Sequence, residues 1–375
     1  MSLKNTFGMV FFLPKIGFAL KGYGGASQYY NANIKPFVDI SQGLQSIGEE
    51  PILFIDEKER HLDDKIRTIT GGKVPIFYTN PSNLERLVIE NSVDYLIVDD
   101  DIEMMKTVLN FQVKGIKKGV FVQYLYGVNT NKYQKRKTSL SLTIGSYLPW
   151  KFLIKKYRDL LIRFDYIIPN SQTCGYILRQ FYDLSPAGTV YPPVGVDIRP
   201  ILNSMSINAE KSGILIFGGN IVNDYFLRNI KDEIKNFLIE IKEPVKLFVS
   251  NPETAAFFSQ NGVKVYSKLQ VGELIRLFAE SRITYVPTAY ELFGYVGAES
   301  VMCGTPAILD AYHPFLESFP METNAVKIVH PNSTISEVFV NMLEEKIDIE
   351  TAKKTIYLRY SAEESAKLLA KAIEL

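Results

Sequence analysis

Cysteine and histidine are scarce in this chain of 375 residues: there are two cysteines, Cys174 and Cys303, and three histidines, His61, His313 and His330. Two cysteines cannot make a disulfide framework and neither has metal-ligand spacing, so a reducing compartment is expected and no metal site. Neither sign of charge is in excess, with 42 Lys+Arg against 41 Asp+Glu and a net charge of +1. That balance argues against a general nucleic-acid binder. No apolar run approaches the ~18 residues needed to span a bilayer. Lys4 is followed by a short apolar run broken at Pro14, which does not read as a secretory signal. A cytoplasmic protein is expected. What remains is ordinary for a globular chain, 46% hydrophobic and 22% charged, and long enough for two domains with full cores.

The most informative stretch is Tyr285 to Ala307, YVPTAYELFGYVGAESVMCGTPA. It reads as an apolar strand, a loop with Glu291, Phe293 and Gly294, a helix from about Tyr295, and a stop at Gly304-Thr305-Pro306 before the next strand. Free N–H groups of Gly294 to Val296 at the helix start favour an anion, particularly a phosphate. Gly294 lets a ligand approach the backbone. Two nearby carboxylates, Glu291 and Glu299, would repel a bare phosphate but accept hydrogen bonds from sugar hydroxyls. The residues therefore ask for a phosphate joined to sugars. The plain alternative is a helix whose Glu299 is merely solvated.

Glu291-x-Phe293-Gly294-x4-Glu299 followed by Gly304-Thr305-Pro306 resembles the E-x7-E motif of the retaining glycosyltransferases of family 4. The resemblance implies that Glu299 holds the ribose of a nucleotide and that Glu291 contacts the donor sugar as the catalytic carboxylate. Phe293 and the amides of Gly294, Tyr295 and Val296 would face sugar and diphosphate.

Earlier in the chain, Phe7 to Leu13 reads as a buried strand, followed by a glycine loop, a helix over about Ser27 to Ile47 and a strand at Pro51 to Ile55. GYGGAS is not the dinucleotide fingerprint G-x-G-x-x-G. Its glycines are either a bare turn or a close approach to a ligand; the family resemblance puts Gly24 and Gly25 opposite the donor phosphates. Strands are expected at Val74 to Tyr78, Tyr95 to Val98 and Gly119 to Leu125, alternating with helices as in a parallel sheet. Asp99-Asp100-Asp101 contains D-x-D, but it ends a strand and opens a helix, so capping explains it. Many relatives place an acceptor-side histidine after the Gly119 strand; here Tyr124 or Tyr126 takes that place. The stretch 131–164 carries nine basic residues and one acid, interleaved with aromatics. It is a solvated helix packed on the sheet, a contact with an anionic membrane surface, or a contact with a polyanionic partner. Phe164 to Val196 reads as strand, helix and second strand, and Pro192 to Pro200 as a linker.

A second α/β domain opens with the strand at Gly213 to Phe217. Relatives carry an arginine after its glycine and then a lysine-glycine pair, which hold the donor diphosphate. Here Gly219 is followed by Asn220 and the pair is missing; Arg228 is the nearest cation. Ser250 ends the Val245 strand at a ligand-facing loop. The loop after the Val263 strand contacts the base in relatives, which points to Lys268 and Leu269. Helices are expected at Glu273 to Ser281, Ser333 to Glu345 and Ser361 to Ile373.

The fold implied is two doubly wound, Rossmann-like α/β domains facing across a cleft, the GT-B arrangement. The N-terminal acceptor-side domain would be 1–196 and the nucleotide-sugar domain 197–356, with the helix in 357–375 packed back on the first. The function implied is transfer of a sugar from a nucleotide-sugar, UDP- or GDP-linked, to an acceptor glycan or lipid, with retention and without a metal or other cofactor. Peripheral attachment to the inner face of a membrane through 131–164 would favour a lipid-linked acceptor. The alternatives are a degenerate, non-catalytic sugar-nucleotide-binding or membrane-surface partner, and an epimerase, against which the scarcity of histidine argues.

Overall fold

The computed structural model describes residues 13–21, 34–123, 125, 150–196, 198–205, 210–219, 242–249, 252–259, 263–267, 269–287, 293–310, 317, 324–329 and 333–375. A first sheet holds β1 (Lys15–Leu20), β2 (Glu50–Asp56), β3 (Ile76–Thr79), β4 (Tyr95–Asp99), β5 (Lys117–Val122) and β6 (Tyr166–Pro169), in the order β3-β2-β1-β4-β5-β6. A second holds β7 (Ile214–Gly219), β8 (Val245–Val249), β9 (Lys264–Tyr266), β10 (Ile283–Val286), β11 (Ala307–Asp310) and β12 (Val326–Val329), in the order β12-β11-β10-β7-β8-β9. Read from β9, the second order repeats the first. Every described strand pair is parallel. Runs such as YLIVD in β4 and VKLFV in β8 are apolar almost throughout because both faces of a parallel sheet are covered.

The first sheet is covered on one face by α1 (Lys35–Ser46) and α2 (Asp63–Ile69). On the other lie α3 (Pro81–Glu90), α4 (Ile102–Leu109), α5 (Trp150–Leu161) and α6 (Gln172–Tyr182). The second sheet is packed by α7 (Ile198–Ser204), α9 (Val271–Ala279), α10 (Tyr295–Met302) and α12 (Ile349–Tyr360) on one face, and by α8 (Pro252–Ser259) and α11 (Ile335–Glu344) on the other. The last helix, α13 (Ala362–Ala372), returns to the first sheet, where Ala366, Leu369 and Ala372 join Phe37 and Leu44 of α1. Ser361 separates α12 from α13 and caps the latter by accepting from the Glu364 N–H. Thus Tyr360 is buried in the second core and Ala366, six residues later, in the first. The segment before α7 joins this tie: the Val194 N–H donates to Tyr360 O at 2.8 Å and Ser365 Oγ to Tyr191 O at 2.6 Å.

Several expectations shift. The first described strand is Lys15–Leu20; of the expected Phe7 to Leu13 only Leu13 is described, exposed and outside any strand, and residues 7–12 lie outside the described residues. KIGFAL, which was not expected as a strand, pairs with both β2 and β4. The expected second strand before Val196 is absent: residues 183–194 are irregular, with backbone hydrogen bonds to β6 from Ala187 N–H to Ile167 O and from Val190 N–H to Pro169 O. The linker ends sooner than expected, since Ile198–Ser204 is helical, and α12 was not anticipated. In the basic stretch, residues 131–149 lie outside the described residues. In α5, Tyr157, Leu160 and Leu161 pack into the core under the sheet, while Lys155 and Lys156 are exposed. No helix of the described residues is long and apolar enough to cross a membrane.

Candidate functional site

In the order 3-2-1-4-5-6 the chain winds in opposite senses on either side of neighbouring strands, here β1/β4 and β7/β10. Ligands of doubly wound sheets bind beyond the carboxyl ends of strands at that switch point. In the second sheet the residue after the β10 loop is Phe293, 4% exposed. Its ring sits edge-on to Tyr295 (5.0 Å) and Tyr360 (5.4 Å), which ties the start of α10 to the end of α12. Gly294 follows with φ 84° and ψ 62°, a left-handed conformation that favours glycine, and α10 begins at Tyr295 as its sequence predicts. No side chain caps this helix among the described residues, and its first turn holds no acid. By contrast α3, α4, α6, α11, α12 and α13 are capped by Asn80, Asp101, Ser171, Thr334, Asp348 and Ser361. The first N–H groups of α10 have no partner within the helix, and the helix dipole adds partial positive charge there. Glu299, half-buried, stands just over a turn further on.

Below its open end α10 is fixed. Ser300 Oγ donates to Thr284 Oγ1 of β10 (2.8 Å) and lies 2.9 Å from Thr305 O. Thr305 Oγ1 reaches Phe278 O at 2.8 Å and accepts from Lys211 Nζ at 2.9 Å. Lys211 Nζ also donates to Gly304 O. Burial, with Lys353 beside it, pulls the Lys211 ammonium down to about 8. Gly304-Thr305-Pro306 is therefore more than a stop signal: Thr305 is a buried hub of the network that anchors α10.

Among the predicted donor-side residues, Gly219 ends β7, the strand beside β10, and Phe293, Gly294, Tyr295, Val296 and Glu299 follow β10. The fold brings these to one edge. Leu269 lies apart, half-buried after β9 and before the capping box of α9. Glu291, Gly24, Gly25, Asn220, Arg228, Ser250, Lys268, Tyr124 and Tyr126 lie outside the described residues.

The first sheet carries a different set at its carboxyl edge. Capping explains only the last of the three aspartates: Asp101 Oδ1 accepts from Glu103 N and Met104 N, and Lys21 at the end of β1 pairs with it at 3.3 Å. Asp100 instead accepts from Gln123 N (3.1 Å), Leu125 N (3.2 Å) and Tyr157 Oη (2.8 Å), joining the ends of β4 and β5 to α5. Burial and Asp100 push the Tyr157 phenol well above its usual range, so it stays a donor. Asp99 is 1% exposed; burial, then Asp100 and Asp101, push its carboxyl well above the carboxylate range. Asp99 Oδ1, Gln123 Nε2 and Asn170 Oδ1 are buried with no hydrogen-bond partner. Such a group costs about 1–3 kcal/mol when its bond goes unmade. Sequence reading passed over Gln123 and Asn170; the available signal was a polar residue just past a buried apolar strand in each case. Burial also raises the Cys174 thiol well above its normal range, so it is not a reactive nucleophile. Among the described residues no group of three or more His, Cys, Asp or Glu could hold a metal ion.

Two parallel sheets of one doubly wound order with helices on their faces define the GT-B fold of nucleotide-sugar glycosyltransferases. No protein-family model matches the chain, nor does any curated protein sequence. Solved structures do. A glycosyltransferase from Rickettsia africae aligns with a TM-score of 0.66 at 12% identity, over 96% of this chain and 98% of that one. HepE from Anabaena, in complex with UDP, aligns at 0.64 and 12% identity, over 96% of this chain and 99% of that one. A UDP-GlcNAc 2-epimerase from Neisseria meningitidis bound to UDP-GlcNAc aligns at 0.57 and 12%, over 96% and 99%. At such identities the likeness is one of fold.

Proposed function

We propose that this chain is a retaining glycosyltransferase that moves a sugar from a nucleotide-sugar to an acceptor hydroxyl. The observation that carries this reading is the amino end of α10: a left-handed glycine at its cap, no side-chain cap and no acid in the first turn, at the switch point of the second sheet with Glu299 behind it. In this reading the amides of Gly294, Tyr295 and Val296 hold the diphosphate and stabilise its charge as it leaves, in place of a metal. Glu299 accepts hydrogen bonds from the ribose, and Glu291 orients the donor sugar. The anomeric carbon gains positive charge in the transition state, and the departing phosphate oxygen takes the acceptor proton. The solved neighbours of the same fold that hold UDP support a nucleotide as the ligand.

A second reading has an observation of its own, the 2-epimerase that shares this fold. An epimerase converts its nucleotide-sugar with no acceptor present, whereas a transferase leaves the donor's sugar configuration intact until an acceptor arrives. A non-catalytic binding protein does neither.

The test is a thermal-shift screen of UDP, GDP, ADP and their sugars on the wild type and Glu299→Ala. At a ligand concentration 100 times Kd the midpoint reflects about 2.7 kcal/mol of added stability. One nucleotide should shift the wild type, and the shift should fall to near zero in Glu299→Ala. No shift with any nucleotide in a folded protein would sink the reading.

A further inference from the structure

The first sheet has a second polar site at its carboxyl edge. Ile97, Phe121 and Ile168 of neighbouring β4, β5 and β6 all pack in the cluster on the α1 side. Side chains alternate along strands, so Asp99, Gln123 and Asn170, each two residues further on, share that face. The register sets Gln123 and Asn170 side by side just past the Val122–Pro169 pair, and Asp99, level with Phe121, lies two residues lower on the adjoining strand. The Phe37 ring of α1 lies 5.3 Å from that of Phe121, so the first turn of α1 closes over the same end. That turn has no side-chain cap. The cation there, Lys35, is buried and paired with Asp39 at 2.5 Å.

Three buried polar atoms without a hydrogen-bond partner thus share one face at the ends of three adjacent strands: Asp99 Oδ1, Gln123 Nε2 and Asn170 Oδ1, on residues 1%, 8% and 4% exposed. Buried polar groups are almost always satisfied, so such a cluster calls for a missing partner. The chemistry of the set selects it. Gln123 Nε2 donates and Asn170 Oδ1 accepts. The Asp99 carboxyl, kept toward its neutral form by burial, does both. A phosphodiester only accepts and an ammonium only donates. A hydroxyl does both, and adjacent hydroxyls match three groups at once.

We propose that Asp99, Gln123 and Asn170 form a subsite for the vicinal hydroxyls of an uncharged sugar or polyol, the acceptor of the reaction. The role as acceptor site rests on the glycosyltransferase reading; the binding of hydroxyls does not. Asp100, with Tyr157 and the ends of β4 and β5, holds the subsite from the opposite face of the sheet.

The experiment uses D-glucose, myo-inositol and glycerol as probes of the full-length protein without nucleotide, read by saturation-transfer difference NMR. It compares the wild type with Gln123→Met and Asn170→Leu, which keep volume and remove one polar atom set each. At least one probe should give a signal in the wild type that drops at least fivefold in both variants. The thermal midpoint of each free variant should equal or exceed that of the wild type, because an unsatisfied buried group has been removed. Asp99→Asn, which retains a donor and an acceptor, should keep the signal within threefold. Absence of any probe signal in the wild type, or equal signals in the variants, overturns the proposal. So does a lowered midpoint in either variant, which would mean that the atom is bonded in the free protein and serves the fold. A lost nucleotide shift with the probe signals intact would instead count against the transferase reading alone.

Discussion

At the carboxyl ends of β4, β5 and β6 in the first half, Asp99, Gln123 and Asn170 each keep a buried polar atom without a partner. At the amino ends of the strands in the second half stands a buried polar network whose members are bonded, although Ser336 Oγ on α11 is buried without a partner. Lys246 donates to Glu280 O and Ser281 Oγ; Ser281, Thr284, Ser300, Thr305 and Lys211 bond to one another or to backbone carbonyls. The strand order is the same. The end of the sheet on which polarity is hidden is what differs. A satisfied network at the end remote from the ligand side fixes helices and adds rigidity. An unsatisfied set at the ligand side costs stability with no gain in the free protein, which is the usual mark of a functional edge. Under the proposed reading, the second half would meet its ligand with backbone amides and the first with side chains.

The largest effect expected is at the place where the chain end is borrowed by the first half. A Cβ on Gly43 of α1 would fall 1.9 Å from Ala362 O and 2.3 Å from its carbonyl carbon, both backbone atoms of α13. Glycine to alanine inside a helix ordinarily gains about 0.5–1 kcal/mol. Here the sign should reverse, with Gly43→Ala costing about 2–3 kcal/mol through overpacking. Chemical denaturation measures the total. Amide exchange should show the loss in α1 and α13 while β7, β10 and their polar network keep their protection. Equal loosening of both halves would break the comparison, since the two cores would then unfold as one unit.

How much of this was readable in the sequence follows the same division. The opening and closing of α10 were legible because they rest on local signals: Gly294 where a left-handed residue is needed, a helical apolar period, and Gly304-Thr305-Pro306. The alternation of strand and helix was legible for the same reason, and with it the fold class. The strand Lys15–Leu20 was not, because KIGFAL mixes a lysine and a glycine into a short apolar run and shows its place only through its partners on each side. Nor was α12, whose core stripe of Ala352, Ile356 and Tyr360 at four-residue spacing lies in an otherwise polar helix. The networks were least legible. Lys211, Ser281 and Thr305 look like surface residues until neighbours distant in sequence surround them. Asp99 and Asp100 looked like helix caps because the capping rule applies to any acid at a strand-to-helix turn, while the geometry admits one.

A smaller effect sharpens the comparison where the halves meet. Glu317, which follows β11 in the second half, accepts from Gln172 N (2.6 Å), Thr173 N (2.7 Å) and Thr173 Oγ1 in the first turn of α6. A carboxylate at a helix amino end, with charge-assisted bonds, contributes about 1.5–3 kcal/mol. Ser171 continues to cap Cys174 N without it, so the helix itself should persist. In Glu317→Ala, exchange of the Gln172 and Thr173 amides should rise about tenfold, with stability lowered by about 1.5 kcal/mol. Unchanged exchange would mean that the two halves do not hold this contact in solution.

The smallest effect concerns the sign with which each half titrates. Lys211 binds its proton less tightly folded, at about 8, than the ordinary 10.5, chiefly because it is buried. Below pH 8 both states carry the proton and its burial is a constant cost. Between about 8 and 10.5 the unfolded chain holds the proton more often, so stability rises with pH across that window. Asp99 runs the other way. Its folded carboxyl keeps a proton that the unfolded chain releases above the usual carboxylate range, so its contribution falls as pH rises from 3.8 toward its raised value. Lys211 is partly exposed and solvent screens it, so its slope should be shallow. Denaturant midpoints at pH 8 and pH 10 measure it. Lys211→Met should flatten the rise attributable to this group, and Asp99→Asn should leave that rise intact while removing the fall at acid pH. The same slope in Lys211→Met as in the wild type would show that the second half's buried cation does not titrate as its surroundings require.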